Sequence, residues 1–264
     1  MSPNTEESVS NSLEVEQHLL PHIPYLLQDL WALGSSVDQI IEIVGSLNLS
    51  PADAKLLDLG CGKGALSIQL AAKYGFTVVG IDAMTPFLED AWDKAKEYQV
   101  SHLCRFEEQD ILKFVSVEHD FDLVILASLG GVLGSLESTI AKLRTQVRPS
   151  GYIIIDDGYL KNQNSLNRKG YEHCRDHENT IRELTTLNDI LVNEINTSAV
   201  SKEINEEYLE VISKRCSELI LQYPELEEDL NAYIRLQVEE CSVLNDEIEG
   251  AIWVLQKKEV ANDT

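Results

Sequence analysis

A row of carboxylates, each placed at the end of an apolar run, is the feature of this sequence best suited to chemistry. Asp58 lies in KLLDLGCGKGA, two residues before Gly60, with Gly62 and Gly64 following. Asp82 closes FTVVGID, Asp110 closes RFEEQD, and Asp156 and Asp157 close YIIIDD. Glycines let a ligand approach the backbone closely, and unpaired N–H groups open any helix that follows. Carboxylates accept hydrogen bonds and attract cations. A second group is YEHCRDH, which gathers Tyr171, His173 and His177 around Cys174. Imidazoles exchange protons near neutral pH, so these three are candidate catalytic residues. Two histidines four apart also suit a metal, but no third ligand stands at fixed spacing, and no metal is expected.

These carboxylates act together only if strand ends lie side by side. KLLDL, FTVVGID, LCRFEEQD, FDLVILA and YIIIDD are short, nearly continuous apolar runs, with helical patterns at ALSIQLAAKY, FLEDAWDKAKEY and LESTIAKLRTQV between them. Thr85 is expected to cap the second helix, and Pro149 with Gly151 to stop the third. Such alternation predicts a parallel sheet covered on both faces, wound by right-handed crossovers into a doubly wound α/β fold. Before it, residues 18–50 predict a helical lid. One helix runs from Ile23 to Leu33 and a second from Val37 to Leu47, the latter capped by Ser36. Tyr25, Gln28 and Trp31 mix aromatic walls with polar tips, as binding sites do. With Asp157 they are candidate substrate contacts.

After Asp157 the residues GYLKNQNSLNRKG read as loop, ENTIRELTTLN as helix and DILVNEINTS as strand. Two amphipathic helices over 199–247 follow, Pro224 opening the second, with acids outnumbering bases about fourteen to three between Glu203 and Glu249. Their outer faces are expected to be solvated. Covering the site or thickening the sheet edge is favoured for the pair, with a homodimer face as the other option. EGAIWVLQKK reads as a last strand over 248–260.

Composition narrows the partners. Net charge is −24, which opposes a phosphate-backbone ligand. No run approaches the length of a membrane span. Residues 1–17 are polar and acidic, unlike a secretory leader, and are expected to be disordered. Five scattered cysteines without paired spacing suit a reducing, cytoplasmic setting. A small-molecule partner is expected, with neither nucleic acid nor membrane.

The glycine turn does not identify its ligand alone. A phosphate loop lacks its GK[ST], but GCGKGA scans as G-x-G-x-x-A, with Asp82 where a dinucleotide's ribose acid belongs. Asp58 argues otherwise, because a carboxylate repels pyrophosphate and attracts an ammonium or sulfonium. Asp110 before Ile111 suits an adenine amine and ring, and the small residues of SLGGVLG leave room for a ligand tail. A cationic nucleoside, S-adenosylmethionine, satisfies all three.

LLDLGCGKGALSIQLA, VVGIDAMTPFLEDAWDKA, RFEEQDIL, FDLVILASLG and VRPSGYIIIDD resemble, in order and spacing, the successive motifs of class I S-adenosylmethionine-dependent methyltransferases. The resemblance implies a seven-stranded sheet with an antiparallel last strand, a core over 51–198, and an insertion between strands six and seven. It implies that Gly60 and Gly62 pass the methionine part of the donor, whose amino group Asp58 orients. Asp82 would accept from both ribose hydroxyls. Ala83 and Met84 would pack on the adenine, Asp110 would accept its amine beside Ile111, and Ala127 and Ser128 would touch the tail. The implied activity is in-line methyl transfer to a small molecule, leaving S-adenosylhomocysteine. ASLGG stands where amide- and base-methylating branches carry N/D-P-P-Y/F, which speaks against those substrates. A non-catalytic partner subunit and a nicotinamide-dependent oxidoreductase are the alternatives.

Overall fold

The computed structural model describes residues 3–162, 166 and 168–258. The elements run α1 (Pro3–Ser12), α2 (Ile23–Leu26), α3 (Val37–Ser46), β1 (Lys55–Leu59), α4 (Ala65–Tyr74), β2 (Thr77–Asp82) and α5 (Thr85–Glu97). Then come β3 (Cys104–Glu108), α6 (Ile111–Phe114), β4 (Phe121–Ala127), α7 (Leu136–Arg144) and β5 (Val147–Leu160). The chain finishes with α8 (His177–Leu184), β6 (Ile190–Asn196), α9 (Ser198–Gln222), α10 (Glu227–Glu247) and β7 (Ile248–Gln256). The end of the expected last strand, residues 259–260, and part of the expected loop, residues 163–165 and 167, lie outside the described residues.

Seven strands form one sheet in the order β3-β2-β1-β4-β5-β7-β6. The first five run parallel, and β7 runs antiparallel to both β5 and β6. Continuous apolar runs make sense here because both faces are covered. Leu57, Val124, Ile153 and Trp253 pack on one face with Ile140 of α7 and Leu184 of α8. Leu56, Ile125, Ile154 and Val254 pack on the other with Val44 of α3 and Leu70 of α4. Strand order reverses between β1 and β4, which opens a crevice at the carboxyl ends of those strands.

The amino terminus departs from expectation. Residues 3–12 form a helix, although 1–17 read as disordered. Val9 in this polar helix, and Leu13 and Val15 just after it, dock on the apolar faces of α2, α9 and α10. The expected helix from Ile23 to Leu33 stops at Leu26. The buried Lys63 ammonium takes the Leu27 carbonyl at 2.8 Å, and Leu33 and Gly34 adopt positive φ, so the chain turns across the crevice instead. Met84, not Thr85, holds the cap position of α5, and the Thr85 hydroxyl donates to Glu108 at 2.6 Å.

Two more expectations shift. Helix α7 ends at Arg144, and β5 begins before Pro149 rather than after Gly151. Pairing with β4 is irregular there, which accommodates a residue that cannot donate to the ladder. The strand also continues through Gly158, Tyr159 and Leu160, read as loop, because β7 pairs with all three. Pro224 starts a short 3-10 turn, and α10 follows it.

Candidate active site

The glycine turn is built by β1 delivering the chain against β2. The Gly60 and Cys61 N–H groups both donate to the Ile81 carbonyl, at 2.8 and 3.0 Å. Gly60 and Gly62 sit at φ +70° and +51°, where side chains are strained. Close approach adds to the need for glycine. A Cβ at Gly60 would fall 2.4 Å from Leu129 Cδ1, and one at Gly62 would fall 2.7 Å from Leu33 Cδ1.

Asp82 fastens the turn to β2. One carboxylate oxygen accepts the Gly62 N–H at 2.9 Å and the other the Met84 N–H at 2.8 Å. Burial raises its pKa, and these bonds oppose the rise. A carboxylate has four lone-pair sites, so these bonds do not exhaust its capacity to accept. Asp58 is buried beneath the turn and accepts the Ser67 hydroxyl at 2.6 Å. Burial pushes its carboxyl up to about 6, Ser67 pulls it back, and the Asp82 charge adds to the rise. Asp110 caps α6 by accepting the Leu112 N–H at 2.8 Å, and it also takes the Thr5 hydroxyl of α1 at 3.0 Å.

These groups enclose a cavity of about 170 Å³, bordered by Asp58, Gly60, Gly62, Asp82 and Asp110. Ala83, Met84, Ile111 and Ala127 complete its walls, and Trp31 lies across it with its indole N–H on the Lys63 carbonyl at 3.0 Å. A larger cavity of about 870 Å³ adjoins it. Ser12, Leu13, Leu33, Ser128, Leu129 and Val132 border both, forming a largely apolar neck.

Ser128 shapes the neck. It adopts φ +54°, donates its N–H to the Asp156 carbonyl at 2.8 Å, and offers its hydroxyl to Gly34 at 3.2 Å. Asp156 accepts the Ser36 N–H at 2.8 Å, so the start of α3 is held by a carboxylate rather than by Ser36's own side chain. Burial pushes Asp156 up to about 6, against the Ser36 hydrogen bond.

The second cavity contains Asp157, Tyr171 and His173 from the sequence reading. His173 Nε2 and Asp157 Oδ2 are 3.1 Å apart, and the Tyr171 hydroxyl donates to Glu240 at 2.6 Å. Three expected residues border neither cavity. Tyr25 donates to Glu218 of α9 at 3.0 Å, and Gln28 folds back on the Tyr25 carbonyl at 3.0 Å. His177 opens α8, which turns it outward to Glu194 at 2.8 Å. Sequence reasoning in turn missed Glu14, Tyr208, Gln237 and Glu240, which border the second cavity. Gln237 carried the one available signal, a polar residue within the apolar stripe of α10. Among the described residues no three His, Cys, Asp or Glu side chains gather to hold a metal.

The reversed seventh strand and the crevice over the glycine turn define the architecture of a class I S-adenosylmethionine-dependent methyltransferase. Residues 51–261 match the family model described as a methyltransferase domain, and the chain belongs to that family. Phosphoethanolamine N-methyltransferase 1 of Zea mays is 24% identical over 66% of this chain and 34% of its own length. Malonyl-[acyl-carrier protein] O-methyltransferase of Priestia megaterium is 30% identical over 41% of this chain and 38% of its own. The chain thus spans little more than a third of either relative. A Thiobacillus denitrificans SAM-dependent methyltransferase, solved with S-adenosyl-L-homocysteine, superposes with TM-score 0.74 at 16% identity, covering 89% of this chain and 98% of that one. At that identity the likeness concerns the fold.

Proposed function

We propose that this chain transfers a methyl group from S-adenosylmethionine to a small-molecule acceptor by in-line displacement. The observation that carries the proposal is the pair of cavities joined by one apolar neck, with the acid-lined glycine turn on one side only. The residues present suit the donor. Asp82 retains acceptor capacity for ribose hydroxyls, Asp110 for an adenine amine, and Ala83, Met84 and Ile111 offer apolar flanks. Gly60 and Gly62 leave the backbone bare for the methionine part, with the negative charge of Asp58 below, and Ala127 and Ser128 border its path to the neck. Bound there, the donor supplies a methyl carbon already activated on a sulfonium.

The protein's own work is alignment and exclusion of water. Leu13, Leu33, Leu129 and Val132 dry the neck, and Trp31 covers the turn. Alignment of this kind contributes roughly 7–11 kcal/mol to a displacement. Tyr171, His173 and Asp157 border the second cavity, which supports reading it as the acceptor side, with any proton transfer there. Five free cysteines and a net charge of −24 support a cytoplasmic setting, away from nucleic acids. Among the described residues no helix is long and apolar enough to cross a membrane. Helices α9 and α10 border the second cavity, and gel filtration tests whether their outer faces also form a homodimer.

The test is transfer of labelled methyl from the donor across a panel of small molecules, with Asp82→Asn beside the wild type. Transfer lost in the variant supports the proposal. Persistent inactivity despite tight donor binding would favour a non-catalytic partner subunit.

A further inference from the structure

Lys63 belongs to the glycine turn but borders neither cavity, and its side chain is only 4% exposed. Burying an ammonium costs free energy that hydrogen bonds or an opposite charge must offset. Its ion-pair partner, Asp90 of α5, offsets little, since it lies 3.4 Å away and is 56% exposed. The shorter contact is to backbone. The Leu27 carbonyl accepts from Lys63 Nζ at 2.8 Å as well as from the Leu30 N–H at 3.0 Å. The centre of the Phe87 ring lies 5.7 Å from Nζ, and an apolar side chain of the same length would pack there without the desolvation cost. The charge therefore serves the Leu27 carbonyl.

That carbonyl opens a strap, residues 27–36, between α2 and α3. Trp31, Ala32 and Leu33 of the strap border the first cavity, and Leu27, Gly34 and Ser36 border the second. Trp31 returns the contact by donating its indole N–H to the Lys63 carbonyl at 3.0 Å, so one residue of the turn grips the strap twice. Further on, Leu33 packs so closely on Gly62 that a Cβ there would not fit. Leu33 itself has φ +48°, a conformation that strains a side chain and persists only where the surroundings hold it. Lys63 holds the strap at its start. At its end Asp156 accepts the Ser36 N–H, and the Ser128 hydroxyl donates to the Gly34 carbonyl. The strap is thus fastened at both ends, with its strained residue between them.

Resting on the methyl-transfer reading, we propose that Lys63 is a positioning residue for the donor, its ammonium latching residues 27–36 over the first cavity and so retaining S-adenosylmethionine there. Lys63 touches no bound molecule in this arrangement. It acts through Trp31 and Leu33, which border the cavity. Release of a donor held under Trp31 requires the strap to lift, so the latch sets the rate of release. Strain at Leu33 favours lifting, and the charged hydrogen bond to Leu27 opposes it.

The experiment uses the full chain with S-adenosylmethionine and S-adenosylhomocysteine. Calorimetry on the wild type comes first, and absence of binding there overturns the methyl-transfer reading and the latch with it. With binding established, amide hydrogen exchange of the wild type is followed with and without S-adenosylhomocysteine. Exchange over residues 27–36 should slow in the complex, and unchanged exchange there overturns the latch alone, whatever the variants do. Lys63→Met removes the ammonium and keeps the length of the side chain. It is expected to release labelled S-adenosylmethionine about tenfold faster or more. Its exchange should quicken over residues 27–36 and match wild type in β4, β5 and α7. Asp90→Asn removes the ion pair and leaves the bond to Leu27, so release at the wild-type rate is expected. Release from Lys63→Met as slow as from wild type, quickened exchange spread over the whole chain, or equal acceleration by Asp90→Asn each overturns the latch and leaves the methyl-transfer reading standing.

Discussion

Replacing Asp58 by Asn should make the free protein more stable and a worse binder of its donor. Asp58 is 4% exposed, and its carboxyl is raised from 3.8 to about 6, chiefly by burial. A carboxyl whose folded value lies above its unfolded value is held more easily as the neutral acid. The fold therefore bears no penalty below about pH 4, and the penalty grows as pH rises towards 6. It is fully present above that, at roughly 3 kcal/mol for a rise of about two units. Asn keeps an oxygen for the Ser67 hydroxyl and carries no charge. Urea unfolding at pH 7.5 should show Asp58→Asn more stable than wild type by about 1–3 kcal/mol, and the difference should vanish near pH 4. Calorimetry at pH 7.5 should show the opposite sign for the cationic donor, about tenfold weaker binding in the variant. An Asp58→Asn protein that is less stable at pH 7.5, or that binds the donor as wild type does, would refute the electrostatic reasoning.

Gly60→Ala forces a strained φ and drives a methyl into Leu129, so it should cost about 1–2 kcal/mol in unfolding experiments and abolish donor binding. Gly75→Ala, at φ +81° with open space around it, should share the stability cost and leave donor binding intact. His177→Ala should leave KM and kcat of methyl transfer unchanged, because that ring contacts Glu194 and Tyr159 outside both cavities. Trp253→Ala empties a fully buried site between β5 and β6, and thermal or urea unfolding should show a loss of about 3–5 kcal/mol.

The sheet was legible because its signals are local. Each of KLLDL, TVVGID and FDLVILA is apolar enough to require cover on both faces, and each is followed by turn chemistry that permits only a crossover. That Asp58, Asp82 and Asp110 share one cavity was legible for the same reason: they stand at fixed positions at or after their strands' ends, and strand pairing brings them together. The second cavity has no such regularity. Glu14, Tyr171, Tyr208 and Glu240 come from four distant segments and meet only through packing of α1, α9 and α10. Helix α1 escaped notice because a few apolar residues, Val9 and Leu13 among them, suffice to dock a polar segment on an existing apolar surface. Tyr25 and Gln28 were misplaced because the helix carrying them ends early, where Lys63 claims a backbone carbonyl from across the crevice. His173 and His177 look equivalent in YEHCRDH, but Asp176 caps α8 between them and sends the two rings to opposite sides.

The central claim is that bare backbone at Gly60 and Gly62, ringed by Asp58, Asp82 and Asp110, holds S-adenosylmethionine. Isothermal calorimetry on the purified chain tests it most directly. A single saturable site for the donor, competed by S-adenosylhomocysteine and lost in Asp82→Asn, is the expected result. No heat with the donor, together with saturation of the same crevice by a reduced nicotinamide dinucleotide, would contradict it.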